Sequence, residues 1–391
     1  MNNHLYYSLL DNLGEGYAKL SDLKYFVRED TEPDITIAAK FPITYFGSPG
    51  DTLKIKGTDT LLSAFEAIRA EKLDFVEKLE HIEYMGLTDG HEIILHFKND
   101  SLTASSVYDF SHDFFDELFD MAKFANFCIR YEYYDLLRDN LTRLFTERKT
   151  SEKQFRLIQK NGDFFLRGLT SSRYQNYDNN IALYLSILNL HKFATENNVS
   201  YRISRARLSD SEVRVFFEQE QPTEIPSLGK VYFGIVVSNS EVREGAVSLE
   251  LRYRLVDKDG RSFAATDLKD SVLNINHITG VERMESRLSR IQNLSSIQNS
   301  IVTLITGLQN MKTLSKDAMY RLYQKIVYSK NFKANTKAKF KELYDQNDVD
   351  NAATLVEAFE KVNSITSDLD EKTFLERVYH ELITELTRKQ P

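Results

Sequence analysis

Residues 230–256 read KVYFGIVVSNSEVREGAVSLELRYRLV. Two runs rich in β-branched and aromatic residues, 230–238 and 246–256, flank a short polar segment at 239–245. Runs of this composition favour β-strands, and two long strands in direct succession favour an antiparallel pair, because parallel strands need a long crossover between them. This stretch therefore predicts the middle of an antiparallel sheet.

The segments before this stretch extend the sheet and add a helix. Apolar and β-branched runs predict strands at 201–208 and 213–218. Farther upstream, the pair Asn161-Gly162 separates two apolar runs, which is a strong signal for a hairpin. Between these regions, apolar residues at helical spacing predict a helix at 178–197.

The C-terminal third of the chain has the spacing of amphipathic helices. Helices are predicted at 281–310, 317–327, 337–344, 352–362 and 371–388. Together with the strands, these segments predict an α+β fold, in which helices flank a central antiparallel sheet and form a helical C-terminal region.

The first 110 residues have a mixed pattern. β-type runs are predicted at 34–39 and 52–55, a helix at 61–79 and a strand at 91–97. A chain of 391 residues exceeds one small core. We therefore predict three parts, which are a small mixed α/β N-terminal region at 1–110, an α+β core with the antiparallel sheet at 111–270 and a helical C-terminal region at 271–391.

Charge and cysteine content exclude several classes of protein. The net charge of −8 argues against a chain that binds polyanions over its whole surface, although a local basic surface still acts at physiological salt. Cys128 is the only cysteine, which excludes an intrachain disulfide and a thiolate metal cluster. No run of about 18 apolar residues and no basic, apolar leader occurs, so we expect a cytoplasmic protein without a membrane span. No motif indicates a cofactor or a metal.

The strongest electrostatic feature is the segment 312–341. It holds nine Lys or Arg residues, beginning with Lys312, and one acid, Asp317, so its local charge is nine minus one, or +8. Tyr and Phe residues are interleaved, which suits a phosphate backbone with stacked bases. The alternative is that the segment docks on the chain's own acidic helices, such as 345–360. The predicted contacts to nucleic acid are Arg321, Lys325, Lys330, Lys333, Lys337, Lys339 and Lys341.

A second candidate surface for nucleic acid lies on the two strands that follow the helix at 178–197. Period-two alternation places Arg205 and Arg207 on one strand face and Arg202 on the other. Arginines beside aromatic residues suit clamping of a single strand. The alternative is an exposed strand face on which acids balance the arginines. Those acids are Asp210, Glu212 and Glu218.

Two groups of polar residues stand where predicted elements meet. Arg167, Arg173 and Tyr174 lie between a strand and a helix, where guanidinium groups and helix N-terminal amides suit a phosphate. The alternative is that an arginine pairs with Asp163 or Asp178 to hold the turn.

The second group is at the predicted hairpin tip at 239–245. Asn239, Ser240 and Glu241 offer two polar side chains and one carboxylate there, although a turn rich in Asn and Ser needs no function. We predict an interaction site at this tip, and it includes His277, the one histidine close to a motif.

Four segments also carry a family resemblance. They are RYEYYDLLRDNLTRL from residue 130, FLRGLTSSRYQNYDN from 165, GIVVSNSEVREG from 234 and NHITGVE from 276. Over roughly residues 120–365, the chain resembles an uncharacterised family of phage- and plasmid-encoded proteins with a domain of unknown function. The resemblance implies a mobile-element origin and no established activity.

The family motifs fall on particular residues of this chain. Val256-Asp257-Lys258-Asp259-Gly260 departs from the family, which often has a Cys-Asn-Gly-like turn there, and this weakens the support for a polar site at that turn. The matching positions are Arg167, Ser171, Arg173, Tyr174, Asp178, Asn239, Ser240, Glu241, Gly245, His277, Thr279 and Gly280.

Catalytic signatures are absent from the sequence, which has no HExxH, CxxC, Walker or G-x-S-x-G motif. A metal-dependent nuclease whose acids converge from distant segments stays open. We predict a non-enzymatic phage- or plasmid-type protein that binds nucleic acid, single-stranded by preference. The alternative is a protein-interaction factor that inhibits or triggers a host defence enzyme. Self-association is a further expectation, because exposed aromatic-rich helices need cover.

Overall fold

The structure is a computed structural model of the chain, and it describes residues 4–11, 13–108, 110–226, 228–242, 246–267, 272–277, 279–310, 315–346 and 354–388. It has an antiparallel sheet, a second mixed sheet and a helical C-terminal region, which confirms the predicted α+β class. Lys312 of the basic segment and Gly245 of the hairpin motif lie outside the described residues.

The described residues form fifteen strands and twelve α-helices. The strands are β1 (Tyr7–Asp11), β2 (Ile55–Lys56), β3 (Lys72–Lys78), β4 (Ile82–Leu87), β5 (Ile93–Phe97), β6 (Leu102–Ser106), β7 (Glu152–Lys160), β8 (Asp163–Ser171), β9 (Tyr201–Ser209), β10 (Glu212–Gln219), β11 (Thr223–Ile225), β12 (Gly229–Ser240), β13 (Ala246–Val256), β14 (Ser262–Asp267) and β15 (Leu273–Asn276). The helices are α1 (Glu32–Lys40), α2 (Thr58–Ala67), α3 (Phe110–Phe119), α4 (Ala122–Arg130), α5 (Tyr134–Glu147), α6 (Asn179–Glu196), α7 (Val281–Leu288), α8 (Leu294–Thr306), α9 (Lys316–Val327), α10 (Ala334–Asp345), α11 (Leu355–Asn363) and α12 (Leu369–Arg388). Short 3-10 helices lie at Leu20–Phe26, Ile43–Tyr45, Leu79–His81, Ser289–Asn293 and Gly307–Asn310.

The larger sheet has nine strands, among which β1, β9, β10, β12, β13 and β14 follow one another in space. β12 and β13 pair from Lys230 opposite Val256 to Ser238 opposite Ser248, which confirms the antiparallel pair predicted from residues 230–256. β11 pairs with β12, β15 pairs with β13, and the two-residue β2 runs parallel to β9.

The smaller sheet has six strands in the order β3, β7, β8, β6, β5 and β4. Asn161 and Gly162 join β7 to β8, and both have positive φ angles. Two central residues with positive φ form the two-residue turn that an Asn-Gly pair favours, so the predicted hairpin is confirmed. β6 and β8 pair in parallel, which makes this sheet mixed.

Two buried apolar clusters hold the chain together. The larger cluster surrounds α6, which is buried on nearly every side, and it joins residues 13–68 to residues 177–383. The smaller cluster packs α3, α4 and α5 on the six-stranded sheet and spans residues 79–169. Its sequence lies between the two parts of the larger cluster. The clusters therefore group the chain differently from the three regions suggested by sequence pattern.

Two predictions of secondary structure in the N-terminal region are wrong. Residues 34–39 belong to the helix α1, because Pro33 near its start and two acids in its first turn favour a helix N-terminus over a strand. The helix predicted at 61–79 ends at Ala67, and residues 72–78 form β3 instead. β3 pairs with β7 along its whole length, and this distant pairing outweighs the local helical spacing.

Candidate functional site

A cluster of buried charges lies where the two sheets meet. Arg156 on β7 and Arg167 on β8 are 0% and 1% exposed. They face Glu241, the residue after β12, and Asp178, the residue before α6. We call the whole set the inter-sheet charge cluster. Its members are Arg28, Asp34, Lys72, Asp74, Arg156, Arg167, Asp178 and Glu241.

Arg156 and Glu241 form the most contacts in this cluster. Arg156 Nη2 lies 2.7 Å from Asp178 Oδ1 and 2.7 Å from Asp74 Oδ2, and Arg156 Nη1 donates to the Glu241 carbonyl. Glu241 Oε2 accepts from Arg167 Nη1 at 2.5 Å and from Lys72 Nζ at 2.7 Å. These bonds tie β3, β7 and β8 of the smaller sheet to the end of β12 in the larger sheet.

The charges in the cluster balance, with four cations facing four carboxylates. Burial alone would raise the pKa of Asp178, but the charges of Arg156 and Lys72 outweigh it and hold that pKa well below its ordinary value. Burial would lower the pKa of Arg156, and the carboxylates of Asp178 and Asp74 raise it instead. Asp178 and Arg156 are therefore both charged at neutral pH.

The N-terminus of α6 is built into the cluster. Asp178 occupies the N-cap position, but its carboxylate bonds to Arg156 and Arg28 and makes no capping bond to the helix. Glu241 supplies that bond, because its Oε1 atom accepts from the Asn179 N–H at 2.9 Å. A carboxylate is favourable at a helix N-terminus. Glu241 therefore stabilises the start of α6 and the end of β12 together.

Other motif residues surround the cluster. The Tyr174 hydroxyl donates to the Glu241 carbonyl at 3.3 Å, and its ring stacks on His277 with centroids 4.5 Å apart. Burial lowers the pKa of His277, whose Nδ1 atom lies 3.1 Å from a backbone carbonyl. The Asn239 amide donates to two acceptors at the start of α6. Residues from three of the segments singled out in the sequence thus meet around one cluster.

This geometry favours a structural role for Arg167. Its partners are Glu241 and, at 3.7 Å, Asp74, rather than either of the acids that the sequence suggested. The buried guanidinium has no side that faces solvent, so it presents nothing to a phosphate backbone. Arg173 is exposed, and a contact between it and nucleic acid stays a prediction.

The residues of the predicted interaction site are largely covered. Asn239, Glu241 and His277 are buried, and Ser240 is half-buried. The reason is that the smaller sheet packs over the end of β12 through Arg156 and Arg167. Within the described part of the chain, no three His, Cys, Asp or Glu side chains are grouped so that they could hold a metal ion.

The arginines of β9 lie on one outer face of the nine-stranded sheet, and the predicted position of Arg202 is wrong. Phe216 of β10 pairs with Arg205, and Phe217 pairs with Ile203, so one residue of β9 has no partner. This bulge adds one residue to the alternation and places Arg202 on the same face as Arg205. Both side chains border one pocket.

Arg205 and Arg207 each form ion pairs with carboxylates. Arg205 Nε bonds to Asp11 Oδ1 at 2.5 Å. Arg207 Nη1 lies 2.8 Å from Asp370 at the start of α12, and Arg214 reaches the same carboxylate at 2.5 Å. Arg207 therefore helps to seat α12 on the sheet, while a contact between Arg205 and nucleic acid stays a prediction.

Part of the basic segment 312–341 docks on the chain itself. Arg321 lies 3.0 Å from Glu385, and Lys325 lies 2.5 Å from Glu381. Lys333 lies 2.5 Å from Asp368, just before α12. These acids lie on α12 or directly before it, and not in the acidic segment 345–360 that the sequence suggested. Internal docking therefore describes three of the seven residues predicted to contact nucleic acid.

The other four form an exposed group, which we call the lysine surface. Lys330, Lys339 and Lys341 are exposed and Lys337 is half-exposed, and none of the four has an ion pair with a described residue. Lys337 and Lys341 are four residues apart on one side of α10, and Lys339, two residues from each, lies on the opposite side. In the same α9–α10 pair, Tyr328 and Tyr320 expose 72% and 51% of their surface.

Sequence reasoning did not single out five members of the inter-sheet charge cluster, which are Arg28, Asp34, Lys72, Asp74 and Arg156. One local signal existed for Arg156, which interrupts the apolar run FRLIQ of a predicted strand. A charge inside a buried strand needs an opposite charge nearby. The partners of Arg156 are distant in sequence, because Asp74 is 82 residues away and Glu241 is 85 residues away.

Comparisons with family models, with curated proteins and with solved structures find no match to this chain. None of the helices in the described ranges combines the length and the apolar character that crossing a membrane requires.

Proposed function

We propose that the chain is a non-enzymatic protein of phage or plasmid type that binds nucleic acid through the lysine surface. The observation that carries this proposal is the group of four lysines without a carboxylate partner in the described part of the chain. A phosphate backbone neutralises such a group and releases its own counterions. Tyr328 and Tyr320 favour a single strand, because its unpaired bases are free to stack on exposed rings.

The helices beneath the lysine surface are packed against the rest of the chain. Arg321 and Lys325 fasten α9 to α12 through their ion pairs, and Lys333 fastens the start of α10. Phe340 of α10 is buried in the larger apolar cluster. Three of the four lysines therefore lie on the packed helix α10, and the fourth, Lys330, lies between α9 and α10. A ligand meets α10 in a conformation that is already formed, so little conformational entropy of that helix is lost on binding.

The test is fluorescence anisotropy of labelled single- and double-stranded DNA and RNA over a series of salt concentrations. Replacing Lys330, Lys337, Lys339 and Lys341 with Ala should reduce the slope of log Kobs against log salt by up to about 3 for a single strand, since each phosphate contact contributes about 0.7. The same variant should lose most of its affinity at physiological salt.

The matched control removes four cations from the part of the chain that forms the smaller apolar cluster. Lys123, Arg130, Arg143 and Lys149 are exposed side chains on or next to α4 and α5. Replacing them with Ala changes the net charge equally and should leave the slope unchanged. An equal loss of binding in both variants would show that net charge alone drives binding, and the lysine surface would not be the site.

A separate observation favours the alternative function, that of a protein-interaction factor. Phe127, Tyr131, Tyr133 and Leu136 form an exposed apolar patch on α4, α5 and the turn between them. The ring of Phe127 lies 5.0 Å from that of Tyr131 and 5.7 Å from that of Tyr133. Exposed aromatic patches are typical of protein interfaces. The partner in this alternative is a host defence enzyme.

A pull-down from host lysate, with and without nuclease, separates the two functions. A stoichiometric partner that resists nuclease and is lost in the variant Tyr131→Asp supports the protein-interaction factor. A partner that disappears after nuclease treatment supports binding to nucleic acid. Since Tyr131 is exposed, its replacement should not affect folding.

A further inference from the structure

A basic pocket opens between the outer face of the nine-stranded sheet and the first half of α12. Its volume is about 470 Å³, and small-molecule sites typically have about 300–1,000 Å³. Strands β9, β10, β13 and β14 supply most of its wall, and α12 together with Asn363 at the end of α11 supplies the rest. We call it the arginine pocket. Its cations are Arg202, Arg205, Arg252, Arg254 and Lys372.

The carboxylates of the pocket do not balance these cations. Glu218 and Glu376 are the acids in its lining, so the excess is five minus two, or +3. Asp11 lies outside the lining and pairs with Arg205, which reduces the excess to +2. The inter-sheet charge cluster has no such excess, although its charges lie as close together.

Three arginines converge on one carboxylate. Glu218 lies 2.7 Å from Arg202, 2.8 Å from Arg254 and 3.7 Å from Arg252. Arg252 also binds Glu376 through two bonds of 2.8 and 2.9 Å. Burial would raise the pKa of Glu218, and its bonds to Arg254 and Arg202 lower it instead. The carboxylate therefore stays charged and holds the guanidinium groups together.

A glycine makes this crowding of charges feasible. Gly234 of β12 lies directly opposite Glu218 on β10 and opposite Arg252 on β13. Because Gly234 has no side chain, Arg252 reaches across β12 toward Glu218. A Cβ atom at Gly234 would lie 2.1 Å from the Phe217 carbonyl oxygen, so the backbone also requires glycine at this position.

The cations of the pocket keep donors for a ligand. A guanidinium has five N–H donors. Arg202 donates to Glu218 through Nη2, and Arg205 donates to Asp11 through Nε. The Lys372 ammonium has no ion pair with a described residue. The pocket therefore combines excess positive charge with guanidinium donors that are not fully used by its acids.

We propose that the arginine pocket binds a phosphoryl group, carried either by a free nucleotide or by the phosphorylated end of a nucleic acid. A phosphate has several acceptor oxygens, and planar guanidinium groups bind it in bidentate fashion. Its two or three negative charges match the excess of +2 to +3 in the pocket. This site is separate from the lysine surface and does not rest on the function proposed for that surface.

The experiment is isothermal titration calorimetry on the full chain. The probes are ATP, pyrophosphate, adenosine and a dinucleotide with either a 5′-phosphate or a 5′-hydroxyl. The variants Arg205→Ala and Lys372→Ala remove cations without separating Glu218 from its three arginines, so both should fold. Loss of a hydrogen bond to a charged group should weaken ATP binding about 10-fold or more in each. The matched control is Lys123→Ala, which removes one exposed cation from α4.

The probes distinguish the source of the phosphoryl group. Binding of ATP and pyrophosphate that weakens in the two pocket variants alone supports the proposal for a free ligand. A preference for the 5′-phosphorylated dinucleotide over its 5′-hydroxyl form supports a nucleic-acid end. Failure of every phosphorylated probe to bind, equal binding of adenosine and ATP, or equal affinity in control and pocket variants would overturn the proposal. The lysine-surface variant should still bind ATP, so this outcome is independent of the proposed function.

Discussion

The inter-sheet charge cluster and the lysine surface use charged side chains in opposite ways. In the cluster, four cations and four carboxylates are held between two sheets and match one another. On the lysine surface, four cations have no carboxylate partner in the described part of the chain. A buried charge without a partner costs several kcal/mol, whereas an exposed charge is solvated and screened. Balance therefore indicates a structural role, and imbalance indicates where an anion would bind.

The largest effect should come from breaking the balance of the cluster. Arg156→Ala leaves Asp178 and Asp74 without their shared guanidinium, and breaking a buried pair from one side costs about 3–5 kcal/mol. Urea denaturation measures the free energy of unfolding. Arg130→Ala is the matched control, because Arg130 is exposed on α4, and it should cost less than about 0.5 kcal/mol. Equal stability of the two variants would refute a structural role for the cluster.

A smaller loss of folding stability should follow when one charge of the cluster is removed and the side chain keeps its shape. Glu241→Gln leaves Arg167 and Lys72 without their carboxylate and weakens the bond to α6, so about 1.5–3 kcal/mol of stability should be lost. Hydrogen exchange should also show faster exchange at the Asn179 amide. Glu66→Gln, at an exposed position on α2, removes the same charge and is the control. Unchanged stability in Glu241→Gln would contradict a structural role for this carboxylate.

The free energy of unfolding should depend on pH through the inter-sheet charge cluster. Folding lowers the pKa of Asp178, so the folded state keeps its carboxylate ionised to lower pH than the unfolded chain does. The stabilisation is complete above the unfolded pKa near 3.8 and is lost as pH falls toward the folded pKa. Below about pH 4, the chain should therefore lose stability more steeply than the variant Asp178→Asn. Parallel curves of unfolding free energy against pH would contradict the lowered pKa.

The smallest effect on stability is expected at the lysine surface. Replacing any one of Lys330, Lys337, Lys339 and Lys341 with Ala should change the free energy of unfolding by less than about 0.5 kcal/mol, as is usual for surface positions. Only the four changes combined should remove most of the affinity for nucleic acid. Thermal unfolding measures the change in stability, and fluorescence anisotropy measures the change in affinity. If the quadruple variant unfolds at a much lower temperature, these lysines are structural and the contrast with the cluster fails.

Much of the fold follows from local pattern. The β7–β8 hairpin was predictable because Asn161 and Gly162 adopt positive φ at low cost. The pairing of β12 with β13 was predictable because two long apolar runs are joined by a short polar segment. The strand β3 was not predictable, since its local spacing resembles a helix and only its pairing with β7 decides the matter.

The candidate sites were predictable in part. The charge of the basic segment is visible in the sequence, but the three of its cations that pair with α12 and Asp368 cannot be told from the four that stay exposed. The face on which Arg202 lies was predicted wrongly, because a bulge depends on the pairing of β9 with β10 and leaves no mark on the alternation of β9 alone.

Local sequence pattern specifies the α+β class, the antiparallel centre of the large sheet and the presence of a basic, aromatic segment. These are properties of neighbouring residues, set by backbone preference, apolar spacing and local charge. The burial of particular charges, in contrast, depends on contacts between distant parts of the chain. Arg28 meets Asp178 across 150 residues, and Arg156 meets Glu241 across 85. Whether a guanidinium is matched inside the protein or left open to a phosphate depends on such distant partners, which local sequence does not specify.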